Sequence, residues 1–78
     1  MKITINVFLK DGVLDPQGKA TQKALHALGF HNVKDTKIAK QISIDLDESD
    51  ETKARQEVEK MCEELLVNSV IEDYELVI

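Results

Sequence analysis

Few side chains in this sequence are equipped for covalent or acid–base chemistry. Cys62 is the single cysteine. It stands beside Met61 and one helical turn after Val58, on what reads as an apolar stripe. The thiolate is the attacking species, and an apolar setting without a basic neighbour disfavours it, so Cys62 reads as a small hydrophobe. His26 and His31 flank the end of a helical pattern. No Ser, Cys or carboxylate stands at a spacing that would give either a positioned partner, so both read as surface residues. Glu63-Glu64 and the acidic run at residues 45–50 offer oxygen ligands. They lack the glycine and spaced ligands of a calcium loop, and read as solvated helix starts and faces. Two His and one Cys give no zinc spacing, so no metal site is expected. The stretch from Asp11-Gly12 to Gly18-Lys19 has glycines and a lysine but no Gly-Lys-Ser/Thr. Asp15-Pro16 also removes an N–H where a phosphate cradle needs one. Tyr74 reads as an amphipathic strand residue of core or interface. No catalytic residue is therefore assigned, and the chain reads as a binding or assembly module.

Gly18 is the exception that asks for a cause. It falls in the first turn of a helix, where glycine costs up to about 1 kcal/mol against alanine. Close approach by another backbone is one reading, and an accident near a frayed end is the other.

The elements that would position these residues follow from periodicity. Ile3, Ile5, Val7 and Leu9 alternate with Thr4, Asn6, Phe8 and Lys10, which predicts a strand with one strongly apolar face. Asp11-Gly12 breaks it. Asp15-Pro16 starts a helix over residues 16–28, with Asp as cap and Pro at the first position. Ala20, Ala24, Leu25, Ala27 and Leu28 line it, and Gly29 ends it, with Phe30 free to fold back. From residue 36 to 46, Thr36, Ile38, Lys40, Ile42, Ile44 and Leu46 share one face if the chain stays extended. The alternation runs without a slip, favouring one long strand of about 36 Å, bent near Ala39. A hairpin turning at Ala39-Lys40 is the alternative. A strand of that length overhangs its neighbour, and pairing with a second copy would cover the overhang. Ser49 or Asp50 caps a second helix, and Ala54, Val58, Met61, Cys62, Leu65 and Leu66 form its stripe. Asn68, tolerant of positive φ, closes it, and residues 70–78 return as a strand with Tyr74, Leu76 and Ile78 on one face. The order β-α-β-α-β predicts an α+β open-faced sandwich of ferredoxin-like type. Both helices are expected on one face of an antiparallel or mixed sheet.

The chain has 78 residues, 42% hydrophobic and 32% charged, which is a globular composition and the size of one domain, residues 1–78. One cysteine excludes an internal disulfide. No apolar run approaches the ~18 residues of a membrane span, and the first residues carry no signal-peptide pattern, so a reducing cytoplasm is expected. The net charge of −5 argues against general nucleic-acid binding. Residues 1–44 carry seven lysines against three acids, and residues 45–78 carry twelve acids against three bases. Such a layout can orient a protein partner, or it is the solvated face of one acidic helix.

One run is more specific than any of this. Lys10-Asp11-Gly12-Val13-Leu14-Asp15-Pro16-Gln17-Gly18-Lys19-Ala20 resembles the signature of the PurS family, the small subunit of phosphoribosylformylglycinamidine synthase. The likeness continues at Ala24-Leu25, Leu28-Gly29-Phe30, Val33, Lys40 and Ile42. It resumes at Met61-Cys62-Glu63, Leu65-Leu66, Asn68 and Val70-Ile71-Glu72. Ala39 stands where the family pattern has glycine, and Ser69 where it has proline. The first leaves the local backbone of the central segment in question, and the second touches a turn.

The resemblance implies a single PurS-like domain in an ATP-dependent ligase of purine biosynthesis. That complex turns formylglycinamide ribonucleotide into formylglycinamidine ribonucleotide with glutamine as the nitrogen donor. A glutaminase subunit and a synthetase subunit carry the chemistry, and the complex is expected to use ATP and magnesium. The small subunit binds no cofactor, bridges the other two and helps ammonia pass. It forms a homodimer or higher oligomer, and its dimer resembles the N-terminal domain of the single-chain large synthetases. No nucleic acid or membrane partner is implied. Asp15, Pro16, Gln17, Gly18, Lys19 and Asn68 become candidates for the partner interface. Ile38, Lys40, Ile42 and Ile44 become candidates for self-association. A small-molecule-binding regulatory domain of the same shape is the alternative, and it has no need of the Asp-Pro-Gln-Gly-Lys run.

Overall fold

The computed structural model describes residues 1–78. The chain runs β1 (Lys2–Leu9), α1 (Pro16–Ala27), β2 (Lys40–Asp45), α2 (Glu51–Met61), a π-helical turn (Cys62–Leu66) and β3 (Glu72–Val77). The three strands form one sheet in the order β2-β1-β3, with both pairings antiparallel. The α+β fold expected from the sequence is present.

The alternation of β1 drives the core. Ile3, Ile5 and Val7 are at most 1% exposed. Their register partners are Ile44, Ile42 and Lys40 on β2 and Leu76 and Tyr74 on β3, so this face of the sheet is hydrocarbon except at Lys40, at its end. Ala54, Val58 and Cys62 from the second helix, with Val67 beyond it, close that face. The opposite face is mostly polar, with Phe8 and Val77 its exposed apolar residues, and Asn6 bonds Glu75 on one side and Gln41 on the other, both at 3.0 Å. Asp50 caps α2 by accepting from Thr52 and Lys53 amides at 2.9 and 3.2 Å.

Four expectations are corrected. The apolar stripe of the second helix holds as far as Cys62, then the helix widens, with the Val67 amide donating to the Cys62 carbonyl, five residues back. That extra residue per turn rotates the stripe, so Leu65 faces solvent at 84% exposure and Val67 is buried in its place. Asn68 does not close the helix through positive φ, since the positive-φ residues are Gly12 and Gly29 alone. It sits in the turn after Val67, which is already extended.

The long central strand is also absent. Of residues 36–46 only Lys40–Asp45 pair with β1 as strand, and no hairpin forms at Ala39-Lys40. Backbone groups of residues 33–38 are taken by α1 instead. Finally, α2 alone covers the sheet. No residue of α1 joins the core cluster, and within α1 only Gly18 is buried. α1 and residues 33–38 stand off the sheet as an arm, and the molecule measures 48 × 23 × 14 Å. Its radius of gyration is 16.0 Å, where a compact chain of this length has about 11.5 Å.

Candidate functional site

The arm is built by its polar residues. Asp15 caps α1, its Oδ1 accepting from the Gly18 amide at 2.8 Å. Its Oδ2 accepts from the Ile38 amide at 2.9 Å. The Ile38 amide first, and the Gly18 amide second, hold the Asp15 carboxyl below the ordinary aspartate value of 3.8. One turn along, a side chain at Gly18 would run into the carbonyl oxygen of Thr36 and the Asp15 carboxylate. The close approach expected at Gly18 is thus made by this chain's own backbone. Gln22 donates to the Lys34 carbonyl at 3.4 Å, and His26 Nε2 donates to the Val33 carbonyl at 2.8 Å. Asp15, Gly18, Gln22 and His26 recur at offsets of three or four residues, so they share one face of α1. They meet residues 38, 36, 34 and 33 in descending order, so the segment runs back along the helix.

At the far end, Gly29 takes φ 99°. The Phe30 amide bonds the Leu25 carbonyl and the Gly29 amide bonds that of His26, the paired closure of a Schellman turn. Phe30 nevertheless remains 55% exposed.

The other sequence candidates are dispersed. Pro16, Gln17 and Lys19 are exposed on the first turn of α1. Asn68 organises the turn into β3: its side chain accepts from Val70 N at 3.1 Å, and its carbonyl accepts from Glu72 N at 2.7 Å. It lies beyond the opposite side of β1 from β2. Ile42 and Ile44 are half-buried on the edge strand β2, Lys40 pairs with Glu72 at 3.7 Å, and Ile38 is 41% exposed. A cavity of about 300 Å³ opens beside the arm, lined among others by Lys10, Leu14, Asp15, Lys19 and Ile38.

None of the candidate nucleophiles or bases is poised. Cys62 is fully buried, and burial first, then Glu59 and Glu63, push its thiol up. Burial likewise pushes the Tyr74 hydroxyl up. His26 and His31 have ring centroids 6.5 Å apart, but His26 is engaged with backbone. The acidic run at 45–50 is occupied by local capping, with Glu48 accepting from the Ser49 and Asp50 amides at 3.1 Å each.

The chain is in class a small open-faced α+β sandwich, with β2 and β3 as the open edges of its sheet and a polar arm standing off it. Its relatives supply the family. Residues 2–78 match the family described as PurS, phosphoribosylformylglycinamidine (FGAM) synthase. The chain is 48% identical over 75 residues to the FGAM synthase subunit PurS of Methanocaldococcus jannaschii, covering 96% of this chain and 90% of that one. It is 45% identical over 73 residues to the Bacillus subtilis subunit, covering 94% and 86%. The crystal structure of the M. jannaschii PurS superposes with a TM-score of 0.87 at 49% identity, over 97% of this chain and 92% of that one. A chain in the structure of PurLQS from Thermotoga maritima gives 0.89 at 36% identity, over 97% and 93%. The chain belongs to the PurS family.

Proposed function

We infer that the chain is a non-catalytic subunit of FGAM synthase and serves its assembly. That ATP-dependent enzyme of purine biosynthesis converts formylglycinamide ribonucleotide, ATP, glutamine and water into formylglycinamidine ribonucleotide, ADP, phosphate and glutamate. The observation that carries this reading is the match over residues 2–78, together with the likeness to a chain of the PurLQS structure. The chemistry of the chain agrees with it, since the one thiol is sealed in the core. In this reading the chain bridges the glutaminase and synthetase subunits and helps ammonia pass between them without loss to water. Magnesium accompanies ATP on the synthetase, and the complex works in the cytoplasm.

Two surfaces suit the role. The exposed Pro16, Gln17 and Lys19 face partner subunits on a backbone held by Asp15 and Gly18, and Asn68, in the turn before β3, is a separate point of contact. The open edge of β2, with Ile38, Lys40, Ile42 and Ile44, pairs with a second copy to give a homodimer or higher oligomer. An unpaired edge flanked by exposed hydrocarbon is the ordinary site of such pairing.

Co-purification with candidate glutaminase and synthetase subunits, with and without nucleotide and glutamine, tests the reading. A ternary complex with glutamine-dependent synthesis is expected, and the isolated chain should hydrolyse neither glutamine nor ATP. Glutamine hydrolysis by the isolated chain that disappears in Cys62→Ala would overturn it.

A further inference from the structure

The two oxygens of Asp15 do different work. Oδ1 caps α1 at the Gly18 amide, and Oδ2 reaches the Ile38 amide, 23 residues on. The second bond serves no helix. It takes up an N–H that an extended β2 would otherwise offer to a neighbouring strand, two residues before the strand begins at Lys40. Gly18 lets the Thr36 carbonyl close in beside it, and Gln22 and His26 continue the seam. α1 and residues 33–38 therefore make one body, joined to the sheet through residues 10–14 at one end and Ala39 at the other.

We propose that Asp15 is a positioning residue for assembly, which by bridging Gly18 and Ile38 fixes the direction in which α1 leaves the sheet and the point at which β2 begins. The proposal rests on the reading of the chain as an assembly subunit. It gives the Asp-Pro-Gln-Gly-Lys run a reason to be specific beyond the contacts of its exposed side chains: the run sets the geometry in which both the arm and the edge strand meet other chains. Both bonds are made by an ionised carboxylate, which strengthens them over neutral ones.

Asp15→Ser separates the two jobs. Serine is as good a helix cap as aspartate, but its single oxygen cannot also reach Ile38. Amide exchange in this variant should leave Gly18 protected and speed Ile38 by about tenfold or more, the loss of one charge-assisted bond. In the reconstituted complex, the concentration of this chain giving half-maximal glutamine-dependent synthesis should rise about tenfold, by the same bond loss. The rate at saturation and the denaturation midpoint of the free chain should stay unchanged, a split that general loss of structure would not produce. Asp15→Asn keeps the shape but turns an amide donor toward one of the two N–H groups, so it should weaken assembly at least as much as serine. It serves as the test if the serine variant does not fold. Wild-type affinity in the serine variant, or in asparagine where serine does not fold, would overturn the proposal, as would unchanged exchange at Ile38. Failure of the wild-type chain to join the complex would instead defeat the reading on which it rests.

Discussion

The sheet with α2 and the arm solve the same problem by opposite means. In the first, Ile3, Ile5, Val7, Val58 and Cys62 are excluded from water, and each large side chain contributes about 1.5–3 kcal/mol by burial. In the second, carboxylate, amide and imidazole side chains hold backbone groups, while Leu28 and Phe30 stay 74% and 55% exposed. Such bonds are worth about 0.5–1.5 kcal/mol net, or about 1.5–3 when one partner is charged. The body is held by buried hydrocarbon, whereas the arm is held by polar contacts with little hydrocarbon hidden inside it. Leu28 and Phe30 at the end of the arm are left outward, where the sheet turns Ile3, Ile5 and Val7 inward.

Changes ranked by expected effect can break or sharpen this contrast. Ile5→Ala, at the centre of the central strand, should destabilise the whole chain by about 2–5 kcal/mol, read as a shifted urea midpoint. Gly18→Ala should cost about 1–3 kcal/mol, because its Cβ must displace the Thr36 carbonyl and the helix gain of alanine is smaller. That loss should be local, seen as faster amide exchange at residues 16–19 and 36–38 with the sheet still protected. A Gly18→Ala chain as stable as wild type throughout would show that the arm is loose. Asp50→Ala removes the acceptor of two amides and should cost about 1 kcal/mol, spread over the whole body because α2 carries core residues. Lys37→Ala breaks an ion pair with the 99%-exposed Asp11 and should change neither the midpoint nor the exchange pattern.

Much of this was legible in the residues. The alternation of Ile3, Ile5 and Val7 gives the buried face directly, and Asp15-Pro16 and Gly29 mark the ends of α1 to within one residue. What periodicity cannot carry is competition for a backbone amide. Thr36 and Ile38 continue the alternation of Ile42 and Ile44, yet the Ile38 N–H goes to a carboxylate 23 positions earlier. The recurrence of Asp15, Gly18, Gln22 and His26 was visible as a polar stripe. The alanines beside it carry the stronger helical period, yet Ala20, Ala24 and Ala27 are exposed. Leu65 departs from the stripe for a different reason: an α-helical period does not carry through the π-helical turn at Cys62–Leu66. The Asp-Pro-Gln-Gly-Lys run pointed to the family, while the atoms it touches are first of all the chain's own.

The strand order has a consequence for how the chain is made. β1 lies in the middle of the sheet, and its two neighbours come from residues 40–45 and 72–77. A nascent chain emerging from the ribosome therefore exposes its most apolar strand first and must wait for both flanks. Until Val77 has emerged, Thr4 to Leu9 have one unpaired edge, and until α2 folds, Ile3, Ile5 and Val7 are bare. Pairings this distant in sequence are slow to form. The arm, whose contacts close within residues 15–38, can be complete long before that. Synthesis then delivers the arm before the part that holds the molecule together.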